Sequence, residues 1–405
     1  MRVAIITTGV LPVPAVRGGA VESLVDNIIG ENEKSGQLQL EIVSIFDEEA
    51  EQKSMQYKHS DFVFFRPYRL IELLDKFIYL VAKDIFKIKK NMSYRYILRR
   101  LYFIQSTADL LHRKDYDRIV LENHPTLFMA LKKKNNAKKY EGRYIFHVHN
   151  EIADVYRCGD LIKNCKKILT VSKFINSSLT KSIKGIPPGK LDVLLNGIDT
   201  VRFGNNVQPC AKEAMRKEYG IRSDEKVVIF SGRLTPEKGI KELLLAFKKI
   251  DYKKVKLIVV GSYFFESDTA SPFEEELKAL VEEIRDSVIF TGFIPYKKMQ
   301  LYYGMADIAV LPSVWSEPAG LTVIEAMASG LPIITTNMGG IPEYTNDRCG
   351  IIVENSDRLV ENLAAAMENL LSDDSLRERM SDEALRTSCD LNLENYYRNF
   401  VKKLK

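Results

Sequence analysis

No run of apolar residues in this 405-residue chain approaches the roughly 18 to 20 that a membrane-spanning helix requires. The nearest candidate, Phe77 to Ala82, is hemmed by Lys76 and Lys83, so no membrane crossing is expected. Cysteine is sparse: Cys158, Cys165, Cys210, Cys349 and Cys389 lack CxxC spacing and a histidine at ligand distance. That excludes a structural zinc site and points to reduced thiols in a cytoplasmic protein. The N-terminal residues Met1 to Gly9 offer one positive charge and a short apolar run before turn residues, which reads as a first strand rather than a signal-peptide core. No G-x-G-x-x-G follows that strand and no acidic residue ends a fitting second one, which argues against a dinucleotide-dependent oxidoreductase. Internal repeats and low-complexity segments are absent too.

What is present is ordinary in amount and ordered in sequence. An apolar share of 45% and a charged share of 28% suit a folded globular protein, and the length exceeds what one core supports, so two domains of roughly 200 residues are expected. Strand-like runs alternate with helix-like segments: residues 2–7, 39–44, 61–65, 118–122, 144–149, 167–171 and 191–195, then 226–232, 256–260, 288–291, 308–311, 331–335 and 350–353. This is the α/β pattern of parallel sheets with helices on both faces. Turn residues from Ile186 to Pro209 separate the groups and set the boundary near Phe203.

Charge divides the chain as well. Residues 1–200 hold 32 Lys and Arg against 23 Asp and Glu, and the remainder holds 27 against 31. The basic half is expected to meet something anionic, unless its lysines are simply a solvated surface. Between Arg66 and Lys114, Leu70, Leu73, Leu74, Phe77, Leu80 and Val81 recur at helical spacing among Lys76, Lys83, Lys87, Lys89 and Lys90. Two readings stay open: helices packed by that stripe on their own domain, or a surface for a membrane or lipid acceptor.

The densest chemical signal runs from Ser316 to Gly330. It follows a strand, and Gly330 with Pro332 marks a helix stop, so Leu321 to Ser329 is a short helix approached through Pro318, Ala319 and Gly320. Unpaired N–H groups at its start make an anion site, and Gly320 lets a phosphate come close. Glu325, one turn in, can accept hydrogen bonds from the two hydroxyls of a ribose, while Glu317 in the preceding loop is free to meet a sugar. After residues 226–232, Gly232-Arg233 and Lys238-Gly239 put a guanidinium and an ammonium where ligands of open α/β sheets bind, able to neutralise a diphosphate. Gly18-Gly19 precede a helical run in the first domain and can offer backbone N–H groups to the same diphosphate. His149, at a strand end before Asn150, points to that cleft; His147 sits deeper as a core histidine, and His124 is a further edge candidate. Asp115-Tyr116-Asp117 has a metal-binding form but precedes a strand, so it is read as a solvated loop and no metal is expected.

Taken in order, Gly18-Gly19, His149-Asn150, Val171-Ser172, Asn196 to Asp199, Gly232-Arg233, Lys238-Gly239, Gly261, Thr291 to Phe293, Glu317 to Gly330 and Gly339-Gly340 with Glu343 resemble the retaining nucleotide-sugar glycosyltransferases of family four. The resemblance implies the GT-B fold, two doubly wound Rossmann-like domains facing a central cleft, with residues 1–203 and 389–405 on the acceptor side and 204–388 binding the donor. It implies that Gly19 and amides near Gly320 and Leu321 hold the diphosphate, that Arg233 and Lys238 neutralise it, and that Glu325 takes the ribose. The backbone near Phe293 would read the base, and Glu317 and His149 would contact the donor sugar. Ala319 stands where the family often has Phe. The expected partners are a nucleotide-diphosphate sugar and a glycan or lipid-linked acceptor, with peripheral contact to an anionic membrane and no nucleic acid. No cofactor is expected beyond the donor. A phosphorylase, an epimerase or a non-catalytic nucleotide-sugar binder are the competing readings.

Overall fold

The computed structural model describes residues 1–81, 96–204, 208–262 and 272–405. Every strand-like run becomes a strand. The central runs are rich in Val, Ile and Leu and buried on both faces, which only a sheet covered by helices on each side can satisfy. The first sheet has the order β3-β2-β1-β4-β5-β6-β7, with β1 (Arg2–Ile6), β2 (Gln39–Ile45), β3 (Ser60–Phe65), β4 (Arg118–Glu122), β5 (Tyr144–Val148), β6 (Lys167–Thr170) and β7 (Leu191–Val193). The second has the order β10-β9-β8-β11-β12-β13, with β8 (Lys226–Ser231), β9 (Val255–Val260), β10 (Val288–Gly292), β11 (Ile308–Leu311), β12 (Ile333–Thr336) and β13 (Gly350–Val353). All pairings are parallel. Strand order reverses between β1 and β4 in one sheet and between β8 and β11 in the other, the points where doubly wound sheets take ligands.

Helices form where apolar residues recur with helical period. In Ala20–Ser35, Val21, Leu24, Val25, Ile28 and Ile29 are buried against the first sheet, and Gly36 in the left-handed region (φ 61°) ends the helix. Leu321–Ala328 is buried over most of its length and closes on Gly330 (φ 72°). There Leu331 N donates to Ala326 O at 3.0 Å and Gly330 N to Met327 O at 2.9 Å.

Two compact units result, Met1–Leu195 with Tyr396–Lys405, and Asn196–Asn395. The breaks fall some residues from the expected ones at Phe203 and about residue 389. Packing explains the first shift. Asp199 caps the helix Thr200–Phe203, and Phe203 is buried with its ring 5.6 Å from Tyr296 and 5.8 Å from Tyr303, all in the second unit. The last helix, Leu393–Leu404, sends Tyr396, Tyr397, Phe400, Val401 and Leu404 into the core of the first unit, where Tyr397 Oη donates to Asn32 Oδ1 at 2.6 Å.

Two local readings are decided. Asp115 and Asp117 are exposed, as expected of a solvated loop, while Tyr116 between them is buried and donates to Glu41 at 2.7 Å, Asp117 accepts from Arg2 N at 2.7 Å, and Asp115 pairs with Arg143 at 3.1 Å. These bonds tie the loop to the starts of β1 and β2. The apolar stripe of helix Arg69–Leu80 does not hold that helix to its own unit. Leu70, Leu73 and Phe77 are 66, 61 and 64% exposed. The buried residue is Asp75, which accepts from Leu98 N (2.8 Å) and Arg99 N (2.9 Å) at the start of helix Ile97–Arg113. Lys83, Lys87, Lys89 and Lys90 lie outside the described residues.

Because Phe400 is fully buried in the first unit's core, Phe400→Ala should destabilise that unit by about 3 to 5 kcal/mol. Urea denaturation followed by a probe in the first unit checks this, and a shift under 1 kcal/mol would contradict the core role of the C-terminal helix.

Candidate functional site

In the second unit the loops after β8 and β11 flank the reversal of strand order. The loop after β8 carries Gly232, Arg233 and Lys238. Gly232 and Gly261 approach so closely that a Cβ on Gly261 would lie 1.8 Å from Gly232 O, and a Cβ on Gly239 would lie equally close to Pro312 O. Both glycines have positive φ, so no other residue fits and the two loops are pressed together. The Lys238 ammonium forms an ion pair with Glu317 Oε1. Ser313 Oγ donates to the same oxygen at 2.9 Å. Glu317 is also fixed through its backbone: Gly340 N donates to Glu317 O at 2.6 Å, and Gly339 (φ 62°) lies where a Cβ would meet that backbone at 2.2 Å. Arg233 is exposed, and among the described residues it has no ion pair.

Helix Leu321–Ala328 begins at Gly320 without a side-chain cap, so its first-turn N–H groups suit an anion. A Cβ on Gly320 would sit 3.1 Å from Val323 Cγ2, so close packing within the helix start explains that glycine as much as room for a ligand does. Glu325 is 6% exposed and accepts from Tyr303 Oη at 3.0 Å. Tyr303 Oη is itself 2.6 Å from Ser231 Oγ at the end of β8. Burial pushes the Glu325 carboxyl up to about 7, against the lowering effect of hydrogen bonds from Tyr303 and Tyr296. A carboxylate this poorly hydrated gains most from hydroxyl donors delivered by a ligand. Phe293, just past β10, is half-buried, and Ala319 and Leu321 are half-buried beside Gly320.

In the first unit the corresponding reversal lies between β1 and β4. Gly18 and Gly19 have φ of 73° and 98°, and a Cβ on Gly19 would strike Glu22 Oε2 at 2.3 Å. Glu22 is buried and accepts from Thr8 Oγ1 at 2.7 Å; burial raises its carboxyl, with Glu122 adding to the effect. His149 is 5% exposed, not an open edge residue. Its Nε2 lies 2.9 Å from Glu122 Oε2, and His147 Nδ1 lies 3.1 Å from the same oxygen. The two imidazoles hold the Glu122 carboxyl below its usual range despite full burial, so each ring must present an N–H to it. Burial and the neighbouring His147 draw His149 down to about 4, leaving it neutral with a lone pair on Nδ1, which has no partner. One ligand atom from each of the three residues lies within 4.8 Å of the others, a geometry that could hold a cation, though the contacts are those of hydrogen bonds. His124 accepts from Thr126 N at 3.3 Å and caps a short helix.

Glu22, Glu122, Ser313, Tyr296 and Tyr303 were not among the sequence candidates. Glu122 alone carried a signal, a carboxylate as the last residue of a buried strand. The others act through contacts that no local spacing encodes.

Residues 211–387 match the family model of glycosyl transferases group 1. The putative glycosyltransferase YtcC of Bacillus subtilis is 27% identical over 400 residues, which span 95% of this chain and 86% of the relative. The lipopolysaccharide 1,2-N-acetylglucosaminetransferase of Salmonella typhimurium is 28% identical over 215 residues, 52% of each chain. In fold, the chain is similar to Anabaena HepE in complex with UDP-glucose, with a TM-score of 0.73 at 17% identity over 100% of this chain and 99% of that one. The fold is GT-B.

Glu325 has a folded pKa raised to about 7 from an ordinary 4.5, so between those values the unfolded chain binds fewer protons than the folded one. Stability from this group is therefore present below about pH 4.5 and lost as pH rises to about 7, on the order of 3 kcal/mol. The difference in unfolding free energy between parent and Glu325→Gln, measured at intervals from pH 4.5 to 8, should show this fall. A pH-independent difference would contradict the assignment.

Proposed function

We propose that the chain, whose residues 211–387 match the group 1 glycosyltransferases, is a metal-independent, retaining hexosyltransferase whose second unit holds the donor's nucleoside diphosphate. The observation that carries this reading is the assembly at the β8/β11 reversal of an exposed Arg233 with no ion pair among the described residues, a Lys238–Glu317 pair, an uncapped helix start and a buried Glu325. Arg233, Lys238 and the N–H groups near Gly320 and Leu321 take the diphosphate, Glu325 takes the ribose hydroxyls, and the backbone near Gly232 and Phe293 borders the nucleoside. On binding, the diphosphate draws Lys238 away from Glu317, and the freed carboxylate meets the donor sugar. In the first unit, Gly18, Gly19 and His149, the last with a buried Nδ1 lone pair able to accept from a hydroxyl, are the candidate ligand contacts of that unit's own strand-order reversal.

Transfer proceeds by attack of the acceptor hydroxyl on the face from which the diphosphate leaves, with a donor phosphate oxygen accepting its proton. The protein's share of the catalysis is then positioning and stabilisation of the leaving group's charge. Two cations and a helix start supply that charge without a metal ion. By analogy with the lipopolysaccharide-directed relative, the acceptor is a surface glycan or glycolipid intermediate. Peripheral contact with a membrane is consistent with the exposed Leu70, Leu73, Leu74 and Phe77, and no helix among the described residues is long and apolar enough to cross one.

The test is release of nucleoside diphosphate from a panel of nucleotide sugars, UDP-glucose first, with and without a glycolipid acceptor fraction and in excess EDTA. Acceptor-dependent release that persists in EDTA, and falls roughly 10- to 150-fold in Arg233→Ala, is the expected result. Loss of activity with EDTA and its recovery with Mn²⁺ would overturn metal independence. Parental turnover in a folded Arg233→Ala protein would overturn the donor site.

A further inference from the structure

A polar concavity of about 280 Å³ lies wholly in the first unit at the carboxyl ends of β2 and β3. It is lined by Ile45, Phe46, Arg66, Arg69, Glu72 and Arg99, with Pro67 at its edge. Parallel packing puts Phe46 and Arg66 side by side: Phe46 N donates to Phe65 O at 3.0 Å, and the Arg66 guanidinium carbon stands 3.5 Å above the Phe46 ring. That stacking holds the guanidinium in place before any ligand arrives, which lowers the entropy that an anion must overcome. Among the described residues neither Arg66 nor Arg69 has an ion pair. Arg99 is better compensated. Its backbone N–H is bound to Asp75, its Nη2 donates to Val10 O at 3.0 Å, and the carboxylates of Glu72, Asp75 and Asp47 lie near enough to act on it. Its Nε is buried without a partner among the described residues. Three arginines thus line one cavity, together with a single acidic residue, Glu72.

The helix that supplies Arg69 and Glu72 also supplies the exposed residues Leu70, Leu73, Leu74 and Phe77, with Tyr68 just before it. A fork of arginines recognises phosphate oxygens, and an apolar strip one turn away covers hydrocarbon. The size fits a phosphate or diphosphate group better than a nucleotide, since small-molecule pockets run from roughly 300 to 1,000 Å³. We propose that Arg66, Arg69 and Arg99 form a binding site for the phosphate of a lipid-linked acceptor, whose hydrocarbon begins along Leu70, Leu73 and Phe77. This rests on the transferase reading and names the chemical class of its second substrate. It also gives the excess positive charge of the first half a specific task, distinct from the diphosphate site of the second unit.

The experiment is calorimetric titration of the full chain, kept saturated with UDP so that the nucleotide site is filled. The probes are inorganic pyrophosphate, monomeric dihexanoyl phosphatidic acid and neutral dihexanoylglycerol. The proteins are the parent, Arg66→Gln/Arg69→Gln and Leu73→Ser/Phe77→Ser, all altered at exposed positions. The parent should bind both phosphates, phosphatidic acid the more tightly, and the neutral lipid far less. The arginine variant should lose roughly tenfold or more toward both phosphates while keeping its affinity for UDP. The apolar variant should bind phosphatidic acid no better than pyrophosphate. Parental affinity in the arginine variant, or binding of the neutral lipid as tight as that of phosphatidic acid, would overturn the site. Equal affinity of the parent for pyrophosphate and phosphatidic acid would overturn the lipid assignment in favour of a free phosphate. Failure of UDP to bind at all would count against the donor-site reading, and the phosphate titrations would still decide the arginine pocket.

Discussion

Parallel pairing throughout both sheets is the constraint from which the candidate sites follow. A parallel sheet sends every strand-to-helix loop out of one edge, and at a reversal of strand order two neighbouring loops lead to helices on opposite faces. In the second unit these are the loops after β8 and β11, and the first carries Arg233 and Lys238 while the second carries Glu317 and leads into the helix that bears Glu325. In the first unit they follow β1 and β4, where Gly18, Gly19 and Glu22 come from one and Glu122 ends the other. The chemistry is concentrated at these edges because strand interiors hold mostly apolar residues that cannot take part in it.

Around that constraint the second unit keeps a carboxylate in a setting that would normally expel it. Glu325 sits on a helix buried over most of its length and survives there because Tyr303 and Tyr296 donate to it. Those tyrosines are in turn packed by Phe203, at the end of the short helix that Asp199 caps. The later part of the turn-rich stretch is therefore a support for the candidate ribose site, which is why the unit begins within that stretch, at Asn196. Lys238 and Glu317 form a second stored pair, charged groups compensating each other until a more strongly charged ligand separates them.

How much of this was legible in the sequence depends on the range of the contacts. Strands of three to seven residues, most of them rich in Val, Ile and Leu, declare themselves, and so do Gly232-Arg233, Lys238-Gly239 and Glu317 to Gly330, because glycines and charges at a strand end signal a loop with a task. Gly339-Gly340 was visible as a motif, but its work, wrapping the backbone of Glu317, was not. Glu122 escaped notice because its partners, His147 and His149, come from the neighbouring strand and the residue beyond its end. The stripe of Leu70, Leu73 and Phe77 has helical period whether it faces a core or solvent, so periodicity alone could not choose between them. The excess of basic residues in the first half was equally silent about where three of its arginines converge.

The central claim is that the second unit binds a nucleoside diphosphate with Glu325 on the ribose. Calorimetric titration of UDP into the parent and into Glu325→Gln, at a pH above 7 where the parent's carboxyl is ionised, tests it most directly. The account predicts binding by the parent and a loss of roughly tenfold or more in the variant, with the diphosphate contacts retained. Equal affinities in two folded proteins would contradict it.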